Sequence, residues 1–217
     1  MADPIMVIRE EAMAAQPEKI SETINAYDQL ADLYARLHVE FKFWKAEYEQ
    51  FLNFVERKGK LLDAGCGPGR DAEYFSNHGF EVVGIDLSEK MLKKAKERNP
   101  KIQFKKMDMS ELDFPNDSFD NIWCHASFMH VPKGDAKKVL EGFYRVLRPR
   151  GMLFIAVRHG KGEEMKAYPN GSRIFFAYYK RDELEKLLKK ANFKVLEAHQ
   201  KTEEAGDEWL IIISIKE

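Results

Sequence analysis

One segment constrains the fold more than any other: residues 61–69, with the sequence Leu-Leu-Asp-Ala-Gly-Cys-Gly-Pro-Gly. An apolar run leads directly into three glycines at alternate positions, and a helical pattern follows. Glycine lacks a Cβ atom, so it adopts positive φ and lets a ligand approach the backbone closely. The first N–H groups of the following helix have no partner inside that helix. The segment therefore predicts a strand, a ligand-binding turn and a helix in succession.

Short apolar segments and amphipathic helical segments alternate along the rest of the chain. Such alternation is typical of a mainly parallel sheet with helices on both faces, and ligands bind such sheets at the carboxyl ends of the strands. The predicted strands are Lys60–Ala64, Glu81–Ile85, Ile102–Lys106, Phe119–Cys124, Met152–Val157, Lys194–Ala198 and Trp209–Ile215. The predicted helices of this region are Asp71–Asn77, Ser88–Arg98, Ala136–Leu147 and Leu184–Ala191.

Two amphipathic helices are predicted before the sheet begins. Apolar residues recur at helical spacing from Ile20 to Tyr34 and again from Phe41 to Val55. We expect residues 1–56 to form an N-terminal arm and a helical lid, and residues 57–217 to form the ligand-binding core. The predicted fold is therefore an α/β fold with a seven-stranded, mostly parallel sheet.

Charge and composition limit the classes of function. The 217 residues include 35 Lys and Arg against 36 Asp and Glu, so the basic surplus that favours nucleic-acid binding is missing. No apolar run is long enough to predict a membrane-spanning helix. Cys66 and Cys124 form neither a disulfide framework nor a metal-binding pattern. These features predict a cytoplasmic protein that binds no metal and whose partner is a small molecule.

The spacing of the three glycines indicates the kind of ligand. A dinucleotide-binding fingerprint requires glycine at positions one, three and six, and position six here is Arg70. The order Gly65, Gly67, Gly69 instead resembles the cofactor loop of class I S-adenosylmethionine-dependent methyltransferases. The resemblance extends from about Tyr27 to the C-terminus, and residues 173–184 are similar to a small-molecule branch related to ubiquinone biosynthesis. It implies a Rossmann-like fold and S-adenosylmethionine as the cofactor.

The same resemblance implies roles for individual residues. Asp86 ends the second strand, and its carboxylate offers only acceptors, which suits two ribose hydroxyls. Asp108 corresponds to the residue that accepts a hydrogen bond from the adenine amino group, and Met109 lies beside the adenine ring. His125 corresponds to a residue that lines the site at the methionine end of the cofactor. Tyr27 belongs to the lid segment. The further residues of the predicted cofactor site are Asp63, Gly65, Cys66, Gly67, Gly69, Arg70, Leu87 and Met91.

Two histidines are candidate bases. Methyl transfer from a sulfonium is an in-line displacement, which depends mainly on orientation. A hydroxyl or ammonium acceptor must also lose a proton, and histidine titrates near neutrality. His130, just after the fourth strand, is the first candidate, and His159, after the fifth, is the second. A packing role for His130 remains an alternative. Three tyrosines are further candidates to face the cofactor or acceptor: Tyr34, Tyr178 and Tyr179.

The sequence leaves the acceptor open. A small molecule methylated on O, N, S or C is the first hypothesis, with an RNA or protein acceptor as the second and a non-catalytic cofactor-binding module as the third. No Asn-Pro-Pro-Tyr or Asp-Pro-Pro-Tyr follows the fourth strand, which argues against the amines of nucleic-acid bases. Both a monomer and a homodimer are compatible with the sequence.

Overall fold

The computed structural model describes residues 16–37, 44–55, 58–203 and 206–217. In this part of the chain we number the helices α1 to α6 and the strands β1 to β9. In chain order they are α1 (Gln16–Leu37), α2 (Lys45–Phe54), β1 (Lys60–Ala64), α3 (Arg70–Asn77), β2 (Glu81–Asp86), α4 (Glu89–Arg98), β3 (Gln103–Lys106), β4 (Phe119–His125), a 3₁₀ turn (Phe128–His130), α5 (Lys133–Val146), β5 (Leu147–Arg158), β6 (Gly162–Ala167), β7 (Arg173–Tyr178), α6 (Arg181–Lys190), β8 (Phe193–Thr202) and β9 (Glu208–Lys216).

Seven strands form one sheet in the order β3-β2-β1-β4-β5-β9-β8. Strands β1 to β5 are parallel, and β9 is inserted antiparallel between β5 and β8. This confirms the predicted Rossmann-like, mostly parallel seven-stranded sheet. Chain order reverses between β1 and β4, and such a switch point opens a crevice at the carboxyl ends of the strands.

An aromatic cluster joins the sheet to two of the helices. Trp123 of β4 stacks on Phe154 of β5 with ring centroids 3.7 Å apart. Phe51 of α2 and Phe75 of α3 meet the same indole edge-on at 5.3 and 4.9 Å. All four side chains are fully buried. The cluster fixes α2, the second helix of the predicted lid, against the strands whose ends line the crevice.

The structure differs from the sequence prediction in two places. Residues 162–178 form an antiparallel hairpin of β6 and β7, and neither strand was among those predicted from the sequence. All but one of the residues of β6 are exposed, so no alternation of apolar and polar residues marked it as a strand. Helix α5, predicted to reach Leu147, ends at Val146. Strand β5 begins at Leu147 rather than at Met152, because Leu147 pairs with Phe119 of β4. Phe41 lies outside the described residues.

Three further features of the described residues concern the helices, the cysteines and one residue of β5. No helix among them is long and apolar enough to span a membrane. Cys66 and Cys124 are both buried and unpaired. Arg150, within β5, adopts a φ of 65°.

Candidate active site

The glycine loop between β1 and α3 adopts the backbone that its sequence predicts. Gly65, Gly67 and Gly69 have φ values of 79°, 50° and 79°, which side chains strongly disfavour. The N–H groups of Gly65 and Cys66 both donate to the carbonyl of Ile85, at 2.8 and 2.9 Å. The loop is thereby fastened to the end of β2. A Cβ atom at Gly67 would meet nothing within 4 Å, so this part of the loop faces open space.

Asp86 lies at the end of β2 beside that open space. Its carboxylate accepts hydrogen bonds from the N–H groups of Gly67, at 2.9 Å, and Ser88, at 2.8 Å. Burial raises the pKa of Asp86, although these backbone donors oppose the shift. A carboxylate with this environment is stabilised further by hydroxyl donors, since each added donor favours its charged form.

The cavity at the switch point has a volume of about 460 Å³. Leu87 and Met91 line it next to Asp86, and Asp108 and Met109 line it from the loop after β3. The Asp108 carboxylate also accepts the N–H of Ser110 at 2.7 Å, which holds it in place. A volume of this size suits a small organic ligand.

Helix α1 covers the cavity from above. Tyr27 of this helix lines the cavity, and its hydroxyl lies 2.9 Å from Nε2 of His130. The other ring nitrogen of His130, Nδ1, lies 2.7 Å from the carbonyl oxygen of Phe175. Because a carbonyl only accepts, Nδ1 carries the proton, and Nε2 accepts the hydrogen of Tyr27. The imidazole is therefore held as one tautomer between α1 and β7.

Comparisons with known proteins agree with this geometry. Residues 61–151 match the protein family described as a methyltransferase domain. These residues form a methyltransferase domain, and the chain is similar to class I S-adenosylmethionine-dependent methyltransferases. Two relatives are the malonyl-[acyl-carrier protein] O-methyltransferase of Salmonella typhimurium, 34% identical over 107 residues, and the ubiquinone biosynthesis O-methyltransferase of Dechloromonas aromatica, 30% identical over 152. The matches cover 49% and 62% of this chain, but only 42% and 64% of those relatives. The chain thus spans about half of their lengths.

Two solved methyltransferase structures share the fold. A methyltransferase from Methanosarcina mazei superposes with a TM-score of 0.70 at 20% identity, covering 76% of this chain and 96% of that one. The 1,6-didemethyltoxoflavin-N1-methyltransferase of Burkholderia thailandensis superposes with a TM-score of 0.67 at 24% identity, covering 100% and 91%. The latter was solved with its acceptor and S-adenosylhomocysteine bound. At these identities the similarity concerns the fold alone.

Most of the residues predicted for the methyltransferase site line one cavity. They are Tyr27, Gly65, Cys66, Gly67, Arg70, Asp86, Leu87, Met91, Asp108, Met109, His125 and His130. Tyr34 lines it as well. Four loops at the carboxyl ends of β1 to β4 therefore converge, which is the arrangement that the sequence predicted.

Five of the residues singled out from the sequence do not line the cavity. Asp63 is buried inside β1, and burial together with the nearby Asp71 raises its pKa well above the usual range. Gly69 closes the loop, and its carbonyl accepts the side-chain amide of Asn99 at 2.9 Å. His159 lies beyond β5 and pairs with Glu208 at 3.0 Å. Its position places the second candidate base away from Tyr27 and His130. Tyr178 and Tyr179 are also absent from the lining.

A buried charged network that the sequence reasoning missed is centred on Asp71. One of its oxygens accepts hydrogen bonds from Tyr48 Oη and from Arg70 Nε, both at 2.6 Å. The other accepts Trp123 Nε1 and His125 Nδ1, both at 2.8 Å. Burial alone would raise the pKa of Asp71, but Arg70 and His125 outweigh it and hold the pKa well below its usual range. The sequence signal that could have revealed this network is the acidic residue Asp71 directly after the predicted cofactor residue Arg70.

Proposed function

We propose that this chain transfers a methyl group from S-adenosylmethionine to a small-molecule acceptor bound in the cavity under α1. One observation carries the proposal: a single cavity runs from the glycine loop and Asp86 to the Tyr27–His130 pair. Relatives whose names mention ubiquinone biosynthesis and 1,6-didemethyltoxoflavin support the same class of substrate.

The described residues fit the cofactor. Gly67 leaves room beside the loop, and Asp86 presents a half-buried carboxylate for two hydroxyls. Asp108 and Met109 would hold the adenine, while Arg70 and His125 would face the methionine end. S-Adenosylmethionine supplies an electrophilic methyl group on a positively charged sulfur. The part of this chain is to orient the acceptor and to exclude water, for which α1 is well placed.

The Tyr27–His130 pair offers a route for the acceptor proton. Burial lowers the pKa of His130 to about 4, and the charge of Arg158 acts in the same direction, so the ring is neutral at neutral pH. Both of its nitrogens are engaged, so an acceptor hydroxyl or amine would donate to Tyr27 Oη while Tyr27 passes its own proton to Nε2. The imidazolium formed on His130 would keep its Nδ1–H bond to the carbonyl of Phe175, which favours the charged ring.

Binding of S-adenosylhomocysteine tests the cofactor site. Asp86→Asn should weaken the affinity measured by titration calorimetry about tenfold or more, because a charge-assisted hydrogen bond contributes about 1.5 kcal/mol. At 100 times the dissociation constant, the ligand should stabilise the wild type by about 2.7 kcal/mol. Glu89→Ala is the control, because Glu89 lies one turn away with an exposed side chain. Equal affinity in the Asp86 variant would refute this assignment.

A panel of acceptors, monitored by release of S-adenosylhomocysteine, tests the reaction itself. Turnover of a small molecule supports the proposal, and Tyr27→Phe should then lower kcat without changing cofactor affinity. Turnover of RNA or protein only would support the second hypothesis. Cofactor binding with no turnover of any acceptor would indicate a non-catalytic module.

A further inference from the structure

The cavity has a second end that the cofactor residues do not occupy. It lies over the carboxyl end of β5, next to β4, and is lined by aromatic rings, one guanidinium and one carboxylate. The residues that form it are Trp44, Arg158, Tyr168, Phe176, Glu203 and Trp209. We call this group the aromatic end.

Arg158 is held rigidly at the aromatic end. It stands opposite Trp209 in the antiparallel register of β5 and β9. Its guanidinium carbon lies 4.2 Å from the centre of the Trp209 indole, a cation–π distance, and Nη2 pairs with Asp207 at 2.8 Å. Stacking and pairing together fix the plane of the guanidinium, so its remaining N–H groups point in set directions.

One donor of this guanidinium is unused. Nη1 is buried and makes no hydrogen bond to any described residue, and the nearest carboxylate oxygen, on Glu203, is 3.9 Å away. A buried donor without an acceptor is costly, so each case calls for an explanation. A ligand acceptor in the cavity would satisfy it.

The hydrogen-bonding capacity at this place favours an acceptor, because the two carboxylates beside Arg158 already have partners. Asp207 already accepts from Arg158, and Glu203 accepts the indole N–H of Trp209 at 2.8 Å. Both carboxylates therefore accept hydrogen bonds, whereas Nη1 donates none to the described residues. The positive charge of Arg158 also reaches the cavity: it opposes the burial that raises the pKa of Tyr27.

We propose that Arg158 binds the carboxylate of a planar aromatic acceptor at the aromatic end. The rings of Trp44, Phe176 and Trp209 bury the flat apolar body, and the guanidinium takes the carboxylate oxygens. A guanidinium fork matches a carboxylate in both charge and geometry. This inference rests on the proposed function, since it names the substrate class of the same cavity.

The test compares acids with their amides. The protein saturated with S-adenosylhomocysteine is titrated calorimetrically with benzoate, 2-naphthoate and indole-3-carboxylate, and with the three matched carboxamides. At least one carboxylate should bind about tenfold or more tightly than its amide. In Arg158→Met this preference should fall to less than threefold, with unchanged affinity for S-adenosylhomocysteine. Arg158→Lys, which keeps the charge without the fork, should retain only part of it.

Arg173→Met is the matched control, because Arg173 is an exposed arginine outside the cavity lining. It should keep the full preference. The inference is overturned if no carboxylate binds better than its amide, if benzylamine binds better than benzoate, or if Arg158→Met keeps the preference. Failure of the wild type to bind S-adenosylhomocysteine would instead refute the proposed function.

Discussion

At the scale of single residues, the glycines of the loop have different tasks although the sequence presents them alike. A Cβ atom at Gly65 would lie 2.2 Å from Cβ of Ser127, whose hydroxyl donates to the carbonyl of Ala64 at 2.6 Å. At Gly67 the same atom would enter open space. Gly65 is therefore required for packing and Gly67 for the approach of a ligand.

Alanine at the two positions should separate these tasks. Gly65→Ala combines a left-handed φ with a clash between the new Cβ atom and Cβ of Ser127. The free energy of unfolding should therefore fall by about 2 kcal/mol or more. Gly67→Ala should cost only about 1 kcal/mol, because only the φ is unfavourable. Its affinity for S-adenosylhomocysteine should nevertheless drop sharply. Urea unfolding and calorimetry measure both effects, and equal stability losses in the two variants would contradict this view.

The contacts of their side chains also distinguish the two candidate histidines. Sequence reasoning ranked His130 over His159 by position after β4, without a known partner for either. The structure gives His130 a tyrosine from α1 and His159 a surface carboxylate. The role of His130 remains a proposal until the Tyr27 variant is assayed.

At the scale of elements, α1 is fastened between the core and the hairpin. The Asp28 carboxylate accepts Ser88 Oγ at 2.5 Å and the N–H of Lys90 at 3.1 Å, so α1 caps the beginning of α4. On the other side, the N–H of Phe175 in β7 donates to Thr23 at 2.9 Å. The lid is thus joined directly to the helix that follows Asp86.

Removing the Asp28 contact should loosen the lid. Asp28→Ala should cost about 1 kcal/mol of unfolding free energy, typical of a lost helix cap, and weaken cofactor binding. Hydrogen exchange should increase in α1 before it increases in the sheet. Asp32→Ala is the control, because Asp32 pairs with Lys94 of the same helix α4 but is exposed. It should match the wild type, and an effect as large as that of Asp28→Ala would refute the distinction.

At the scale of the whole molecule, Asp71 joins the parts that carry the site. Its partners come from α2, α3 and β4, so a single buried carboxylate connects the second N-terminal helix to the glycine loop and the sheet. Its pKa is depressed in the folded state. The stabilisation it contributes is therefore full above the unfolded pKa of about 4 and is lost as pH falls through the lower folded value.

Asp71→Asn should accordingly destabilise the fold in a pH-dependent way. Between pH 5 and pH 7 the loss should be about 3 kcal/mol or more, because the charges of its partners are left uncompensated. The difference from wild type should shrink as pH falls below about 4. Urea titrations across this range measure it, with Asp113→Asn as the exposed control. A difference that stays constant with pH would contradict an ionic role.

The sequence by itself determined the sheet, the loop and the cofactor class. Strand and helix periods are local properties, and the glycines at 65, 67 and 69 with Asp86 and Asp108 at the strand ends predict where a nucleoside binds. Because parallel strands bring their carboxyl ends to one edge, those residues had to converge.

Only the tertiary structure decided what lies around that edge. The Asp71 network, the Tyr27–His130 pair and the stacking of Arg158 on Trp209 join residues 52, 103 and 51 positions apart. The β6–β7 hairpin forms through pairing with a partner strand rather than through its own pattern. Such contacts depend on packing between elements, which no local periodicity encodes.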